Sequence, residues 1–378
     1  MRVLHFYKSY YPERRGGIEQ VIHQIACSTQ SHGVETDVLT LGKESSSEPT
    51  QMNGYRAHTA KRNLEVASTG LSLSVFQKFR ALARVVDLIH FHFPWPQMDL
   101  VHLAIRANKP TVVTYHSDIV RQTRLLKLYQ PLMSRFLGSV DRIVATSPNY
   151  AASSDTLIRY ADKVSIIPIG LDRKSYPEVN SAKLAYWKQR LGAKFFLFVG
   201  VLRYYKGIHT LIEAAAKEDF VVAITGSGTC ERELMAHAAR RGADRVHFLG
   251  AIPDEDKVAL LSLCCGIVFP SNLRSEAFGI TLVEGAMFGK PLISCEIGTG
   301  TSFVNVAGQT GLVVAKDDST ALRHAMLFLW GQPAVAAAMG QRAALRYETL
   351  FTGAQMGAAH FKLYAELNSS RLRSGGNA

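Results

Sequence analysis

Two cations close together, Arg203 and Lys206, and two carboxylates, Glu276 and Glu284, are the side chains of this sequence best suited to chemistry. No acid neighbours the cations along the chain. A diphosphate held between them would relieve their repulsion and gain charge-assisted hydrogen bonds. Each carboxylate can accept from two vicinal hydroxyls at once, which suits a sugar or ribose ring. Between the two glutamates stands Gly279, at what reads as the entrance of a helix. The amides of Phe278, Gly279 and Ile280 are expected to point at an anion there, with the helix dipole behind them. The plain alternatives are two solvated loop cations, an ordinary carboxylate at a helix start for Glu276, and a solvated one for Glu284.

Loops of this kind have to be held by strands, and short apolar, β-branched-rich runs recur along the chain. They fall at Val3 to Tyr7, Thr36 to Thr40, Val85 to Phe93, Thr111 to His116, Arg142 to Thr146 and Val164 to Ile169. The rhythm restarts at Phe195 to Gly200, Phe220 to Thr225, Val246 to Leu249, Gly266 to Pro270, Pro291 to Cys295 and Gly311 to Val314. Helix-period segments such as Ile18 to Cys27 and Leu125 to Leu137 lie between, the alternation of parallel sheets flanked by helices. The expected fold is α/β, with two Rossmann-like domains facing across a cleft into which the strand ends deliver their loops. The hinge is placed near 170–190, where Pro168-Ile169-Gly170 ends a strand and a charged stretch follows. The domains are then 1–170 and 171–345, with a helical tail, 346–378, packing back on the first.

The first half adds two candidates. Gly16 and Gly17 follow the first strand, and His116 ends the strand Thr111 to Tyr115, whereas the other twelve histidines show no such placement. An ordinary loop histidine is the alternative. Gly226-Ser-Gly228 and the stretch around Leu249 end two further strands; no third glycine or ribose-binding acid completes a dinucleotide fingerprint there, so NAD is set aside.

A strand, two cations and then Glu-x7-Glu at a helix entrance resembles the retaining glycosyltransferases of the GT-B fold, specifically family 4, and Gly16-Gly17-Ile18-Glu19 matches that family's amino-terminal glycine loop. The resemblance implies that Arg203 and Lys206 neutralise a diphosphate leaving group, that Glu276 binds hydroxyls of the transferred sugar and that Glu284 holds the ribose. It further implies that Gly279 and Ile280 amides meet the sugar or distal phosphate, that Gly16 and Gly17 approach the same phosphate, and that His116 stands beside the reacting sugar. Gly226 and Leu249 fall where the family accommodates the nucleotide. Retention with front-side attack is implied, with no protein nucleophile and the site assembled on domain closure. The opening Met1 to Ile22 also resembles the mannosyltransferases of bacterial O-polysaccharide assembly, which use GDP-mannose or GDP-rhamnose.

Composition bounds these readings. With 378 residues, 47% hydrophobic and 20% charged, the chain suits two folded domains. The amino terminus lacks the apolar core of a signal peptide, and the longest apolar stretch, Val258 to Phe269, is too short to span a bilayer, so a cytoplasmic protein is expected. Five scattered cysteines argue against disulfides or a zinc site. The net charge of +12 favours anionic partners. No aromatic-basic signature supports nucleic acid, and no Asp-x-Asp pair sits in a ligand-like loop, so neither metal nor cofactor is expected; the Asp254-Glu-Asp256 cluster reads as a helix start.

Ile119 to Gly138 gathers Leu125, Tyr129, Leu132, Met133 and Phe136 on one side and Arg121, Arg124, Lys127 and Arg135 on another, bent by Pro131. It is expected either to touch an anionic membrane, as for a polyprenyl-diphosphate-linked acceptor at the inner face of the cytoplasmic membrane, or simply to pack a core. The leading reading is a transferase moving mannose or D-rhamnose from a GDP-sugar to a lipid-linked saccharide. A UDP-sugar enzyme of family 4 and a non-catalytic nucleotide-sugar-binding protein are the alternatives.

Overall fold

The computed structural model describes all residues except 12, 14, 15, 67, 68, 121, 122 and 376–378, with side chains of 66, 123–125 and 372–375 also outside the description. The chain divides into two compact units, Met1–Gly170 with Gly353–Ala378, and Leu171–Thr352.

The first unit carries β1 (Arg2–Phe6), β2 (Glu35–Gly42), β3 (Thr50–Gln51), β4 (Arg56–Lys61), β5 (Leu64–Val66), β6 (Thr69–Leu71), β7 (Leu88–Phe93), β8 (Thr111–Tyr115), β9 (Arg142–Ala145) and β10 (Val164–Ile166). Eight of them form one sheet in the order β10-β9-β8-β7-β1-β2-β4-β3, parallel except for the β3–β4 pair; β5 and β6 make a separate hairpin. Helices cover both faces, so central strands are buried throughout, as in Leu88–Phe93, where every residue is inside. The Gly353–Gly375 helix belongs to this unit and lies against the Gly17–Gln30 helix. Gly357 makes that approach possible, since a Cβ on it would stand 2.5 Å from the Ser28 carbonyl oxygen.

The second unit holds β11 (Phe195–Val199), β12 (Val221–Thr225), β13 (Val246–Gly250), β14 (Gly266–Phe269), β15 (Leu292–Glu296) and β16 (Gly311–Ala315). They form one parallel sheet in the order β13-β12-β11-β14-β15-β16. β11 sits at its centre, with the chain stepping first to one side and then, from β14, to the other. The loops after β11 and β14 therefore leave neighbouring strand ends in opposite directions, the switch point at which open parallel sheets bind ligands.

The expected strands are all present. Those not anticipated are β3 and β4, which carry charged and polar residues at the edge of the first sheet, and the short strands β5 and β6 of the separate hairpin, where hydrophobic alternation is weakest.

Candidate functional site

At the switch point of the second sheet, β11 ends at Gly200 and the loop closes in a tight turn, Tyr204–Lys206. Gly207 follows in the left-handed region at φ 63°, and a Cβ there would lie 1.9 Å from the Pro270 carbonyl oxygen. Only glycine lets the two loops touch so closely. The contact brings Lys206 to Glu276: its Nζ donates to Glu276 Oε2 at 2.5 Å, with both side chains largely buried, and stands 4.8 Å from the centre of the Phe269 ring. Ser271 Oγ reaches the same carboxylate oxygen at 3.5 Å. Burial opposes the Lys206 charge, but the Glu276 carboxylate and Tyr205 outweigh it and raise its pKa above the ordinary lysine value.

This pairing corrects the sequence argument that the two cations lack a nearby acid. Glu276 is distant along the chain, but β11 and β14 are neighbours. Arg203 differs: it is exposed, and among the described residues its guanidinium has no hydrogen-bond or ion-pair partner. One compensated and one uncompensated cation leave the loop pair with a net positive charge.

Glu284 is buried inside the Ile280–Met287 helix, not solvated. Its Oε1 accepts from the Tyr176 hydroxyl at 2.8 Å and from Lys257 Nζ at 3.1 Å. Lys257 in turn reaches Asp254 at 3.2 Å, and the two carboxylates raise its pKa against the opposing effect of burial. Sequence reading missed Tyr176 and Lys257, which stand in no motif. The acids opening the helix that carries Lys257 divide their roles: Asp256 is buried and accepts from Trp187 Nε1 at 2.8 Å and Lys183 Nζ at 2.9 Å.

Gly279 caps the Ile280–Met287 helix at φ 89°, and a Cβ there would crowd Leu282 and Phe269 at 3.0 and 3.2 Å. Among the described residues, the amides of Phe278, Gly279 and Ile280 have no acceptor, as the first turn of a helix requires. The Phe278 ring itself is buried and meets Phe351 edge-on. Gly226, at φ 127°, ends β12 against Gly200, whose carbonyl oxygen is 1.9 Å from where a Cβ would be. Leu249 is half-buried at the end of β13.

In the first unit, Gly16 is the extended N-cap of the helix that Gly17 opens, and a Cβ on Gly16 would collide with Glu19 Oε2 at 2.4 Å. Glu19 is buried and accepts from Ser9 Oγ at 2.6 Å. His116 follows β8 and is only 8% exposed. It is far from isolated: its Nε2 is 2.9 Å from His92 Nδ1, and His92 Nε2 is 2.9 Å from His5 Nδ1. His90 bonds Tyr364 at 2.6 Å and Thr114 at 2.7 Å, with the His360 ring beside it. Four of the other histidines, His5, His90, His92 and His360, cluster with His116, a grouping that the sequence reading did not anticipate. The signal was present as His90-Phe-His92, alternate residues of one strand that share a sheet face.

The Thr123–Ser139 helix, with Pro131 inside it, buries Met133 and Phe136, and Tyr129 donates to Asp99. Lys127, Leu128 and Arg135 are exposed; Arg121 and the side chains of Arg124 and Leu125 lie outside the described residues.

Two Rossmann-like halves, the second presenting lysine, arginine, two glutamates and unengaged helix amides at its switch point, define a GT-B glycosyltransferase. The comparisons agree. Residues 15–175 match the model "Glycosyltransferase Family 4" and residues 184–346 the model "Glycosyl transferases group 1". The chain is 56% identical to the D-rhamnosyltransferase WbpZ of Pseudomonas aeruginosa, covering 93% of this chain and 92% of that one. It is 48% identical to O-antigen chain mannosyltransferase C of Escherichia coli, covering 98% and 100%. Among solved structures it resembles sucrose-phosphate synthase from Thermosynechococcus elongatus, with a TM-score of 0.81 at 20% identity, covering 98% of this chain and 99% of that one. It also resembles Anabaena HepE in complex with UDP and glucose, with a TM-score of 0.77 at 19% identity, covering 97% and 100%; at these identities the likeness shows the fold. The chain belongs to the family 4, group 1 glycosyltransferases.

Proposed function

We propose that the protein transfers mannose or D-rhamnose from a GDP-sugar to a lipid-linked saccharide in bacterial O-polysaccharide synthesis. The observation that carries this reading is Lys206 held on Glu276 at the switch point with Arg203 uncompensated beside it; the names of the two relatives reported above supply the hexose. In this reading Lys206 and Arg203 stabilise the departing diphosphate, the amides of Phe278, Gly279 and Ile280 donate to the distal phosphate or sugar, and Glu276 binds hexose hydroxyls. Glu284, oriented by Tyr176 and Lys257, takes the ribose, with Gly226 and Leu249 at the base. Gly16 and Gly17 approach the phosphate, and His116 contacts the hexose or acceptor.

The anomeric configuration is retained. The bond from the anomeric carbon to the phosphate breaks, the acceptor oxygen bonds the same face, and the leaving phosphate oxygen takes the acceptor's proton. Two cations with helix amides supply the leaving-group stabilisation that a divalent ion provides elsewhere, so no metal is needed. No helix of the described residues is long and apolar enough to cross a membrane. Access to a polyprenyl-diphosphate acceptor then comes from surface contact through Lys127, Leu128 and Arg135 on the Thr123–Ser139 helix.

The test incubates the protein with GDP-mannose, GDP-D-rhamnose, UDP-glucose or UDP-N-acetylglucosamine, with a polyprenyl-diphosphate-linked saccharide, with and without EDTA. Transfer from a GDP-sugar, insensitive to EDTA and with retained configuration by NMR, is expected. Transfer from none overturns the enzyme reading, transfer only from UDP-sugars overturns the donor, and loss in EDTA overturns the metal-free mechanism.

A further inference from the structure

His5 on β1, His90 and His92 on β7, and His116 after β8 line one face of the first sheet, with His360 and Tyr364 of the Gly353–Gly375 helix laid over it. The rings of His5 and His92 stack at 5.2 Å, and those of His92 and His116 at 5.2 Å. Three of these imidazoles form an unbranched chain, His116 Nε2 to His92 Nδ1 and His92 Nε2 to His5 Nδ1, each link 2.9 Å. The chain ends at His5 Nε2, which is buried with no partner.

A neutral imidazole has one donor and one acceptor nitrogen, so such a chain has only two fully bonded arrangements. Burial keeps all three rings neutral, pushing His5 and His116 down to about 3 and His92 well below the ordinary value. If the protons run toward His5, its Nε2–H becomes a buried donor with nothing to bond. If they run the other way, His5 Nδ1 donates to His92 Nε2, His92 Nδ1 donates to His116 Nε2, and the unused group is a bare lone pair. Orphaned buried N–H groups are the rarer and costlier defect. Unlike His5 Nε2, His116 Nδ1 is not among the buried atoms lacking a partner, and it is bonded to no described residue, so it is the nitrogen that faces outward.

We propose that His92 and His5 are positioning residues that hold His116 in the tautomer carrying its proton on Nδ1, so that His116 meets the substrate as a hydrogen-bond donor to an oxygen and not as a base. This rests on the reading of His116 as a substrate contact. One nitrogen from each of His5, His90 and His92 lies within 4.8 Å of the other two, a spacing that also suits a metal ion. Three observations favour the relay. The 2.9 Å between His5 Nδ1 and His92 Nε2 is shorter than the roughly 3.4 Å kept by two ligands at about 2.1 Å from a tetrahedral ion. Both His90 nitrogens are already engaged. The His90 and His92 rings are stacked 4.6 Å apart, near parallel, instead of converging on a point.

The experiment reads the protonated nitrogen of His116 directly, by long-range 15N–1H correlation on the full chain labelled with 15N-histidine near pH 7.5, the signal being assigned by its loss in His116→Gln. The expected result is protonation of Nδ1 in the unsubstituted protein and in His92→Asn, whose amide still donates to His116 Nε2, with a tautomer mixture in His92→Leu. In the transfer assay His92→Leu should lower kcat roughly tenfold, the effect of one lost hydrogen bond, and His92→Asn should recover most of it. A proton on Nε2 in the unsubstituted protein overturns the proposal. So does a tautomer unmoved by His92→Leu, or an equimolar metal bound in the isolated protein and lost in His90→Phe. If no donor is turned over, the functional reading falls while the tautomer measurement still decides the relay.

Discussion

At the carboxyl end of the second sheet the inward polar groups are charged and paired, Lys206 with Glu276 and Lys257 with Glu284. On the covered face of the first sheet they are neutral imidazoles bonded to one another. Both arrangements bury polar atoms, but they fail differently. A charged pair depends on its partner, because removal of one member strands a charge that the protein has already desolvated. A neutral relay depends on pH, because a proton added from outside has no counter-ion to meet it. In the proposed reading the first holds and releases an anion, and the second fixes the direction of a hydrogen bond.

The largest expected effect breaks the comparison with acid. His5 and His116 titrate near 3 and His360 near 4 in the folded protein because burial disfavours their charge, and His90 and His92 lie well below the ordinary value. The unfolded chain titrates near 6.5 and binds more protons between these limits, so the stabilisation is complete above about 6.5 and is lost as pH falls toward 3 to 4. Each imidazole forfeits about 2 kcal/mol by pH 5, and several together rival the whole stability of a domain. Single-tryptophan variants report the units separately: Trp95 in the first should lose its buried fluorescence at higher pH than Trp187 or Trp330 in the second. Simultaneous loss at one pH removes the distinction.

Next in size, Lys206→Ala should cut transfer by roughly 100- to 1,000-fold, the range for losing one preorganised stabiliser of developing charge. A loss below tenfold takes Lys206 off the leaving group. Glu276→Ala is expected to destabilise the second unit by about 2 kcal/mol, read from denaturant midpoints, since it leaves the largely buried ammonium unpaired. An unchanged midpoint means that Lys206 is solvated. The smallest effect belongs to Arg203→Ala, which should leave stability within about 0.5 kcal/mol while lowering transfer roughly tenfold. A stability change larger than the kinetic one contradicts its uncompensated state.

Much of this architecture was legible. Phe195 to Gly200 and Gly266 to Pro270 read as strands because apolar, β-branched runs between glycines have few other solutions, and the same holds for the remaining central strands. The glycine at 279 and the amides beside it followed from helix-entrance chemistry. The Lys206–Glu276 bond was not legible, because it depends on β11 lying next to β14, and strand order is a property of the sheet as a whole. Nor was the histidine relay, whose members are spread from residue 5 to residue 116 and are brought together only by the parallel register of β1, β7 and β8, as in the pairings of His5 with His90 and of His92 with Thr114. Tyr176 and Lys257 carried no signal at all.

The helix that supplies His360 and Tyr364 is made only after the whole of the second unit. During synthesis residues 171–352 form a contiguous stretch that can close on itself, whereas the first unit has to wait, its sheet face bare, until the chain beyond Gly353 emerges from the ribosome. Birth order is thus inverted: the half begun first is finished second. A tag or truncation at the carboxyl terminus would be felt in the amino-terminal half of the sequence, and a chaperone holding the nascent chain would find its exposed surface there.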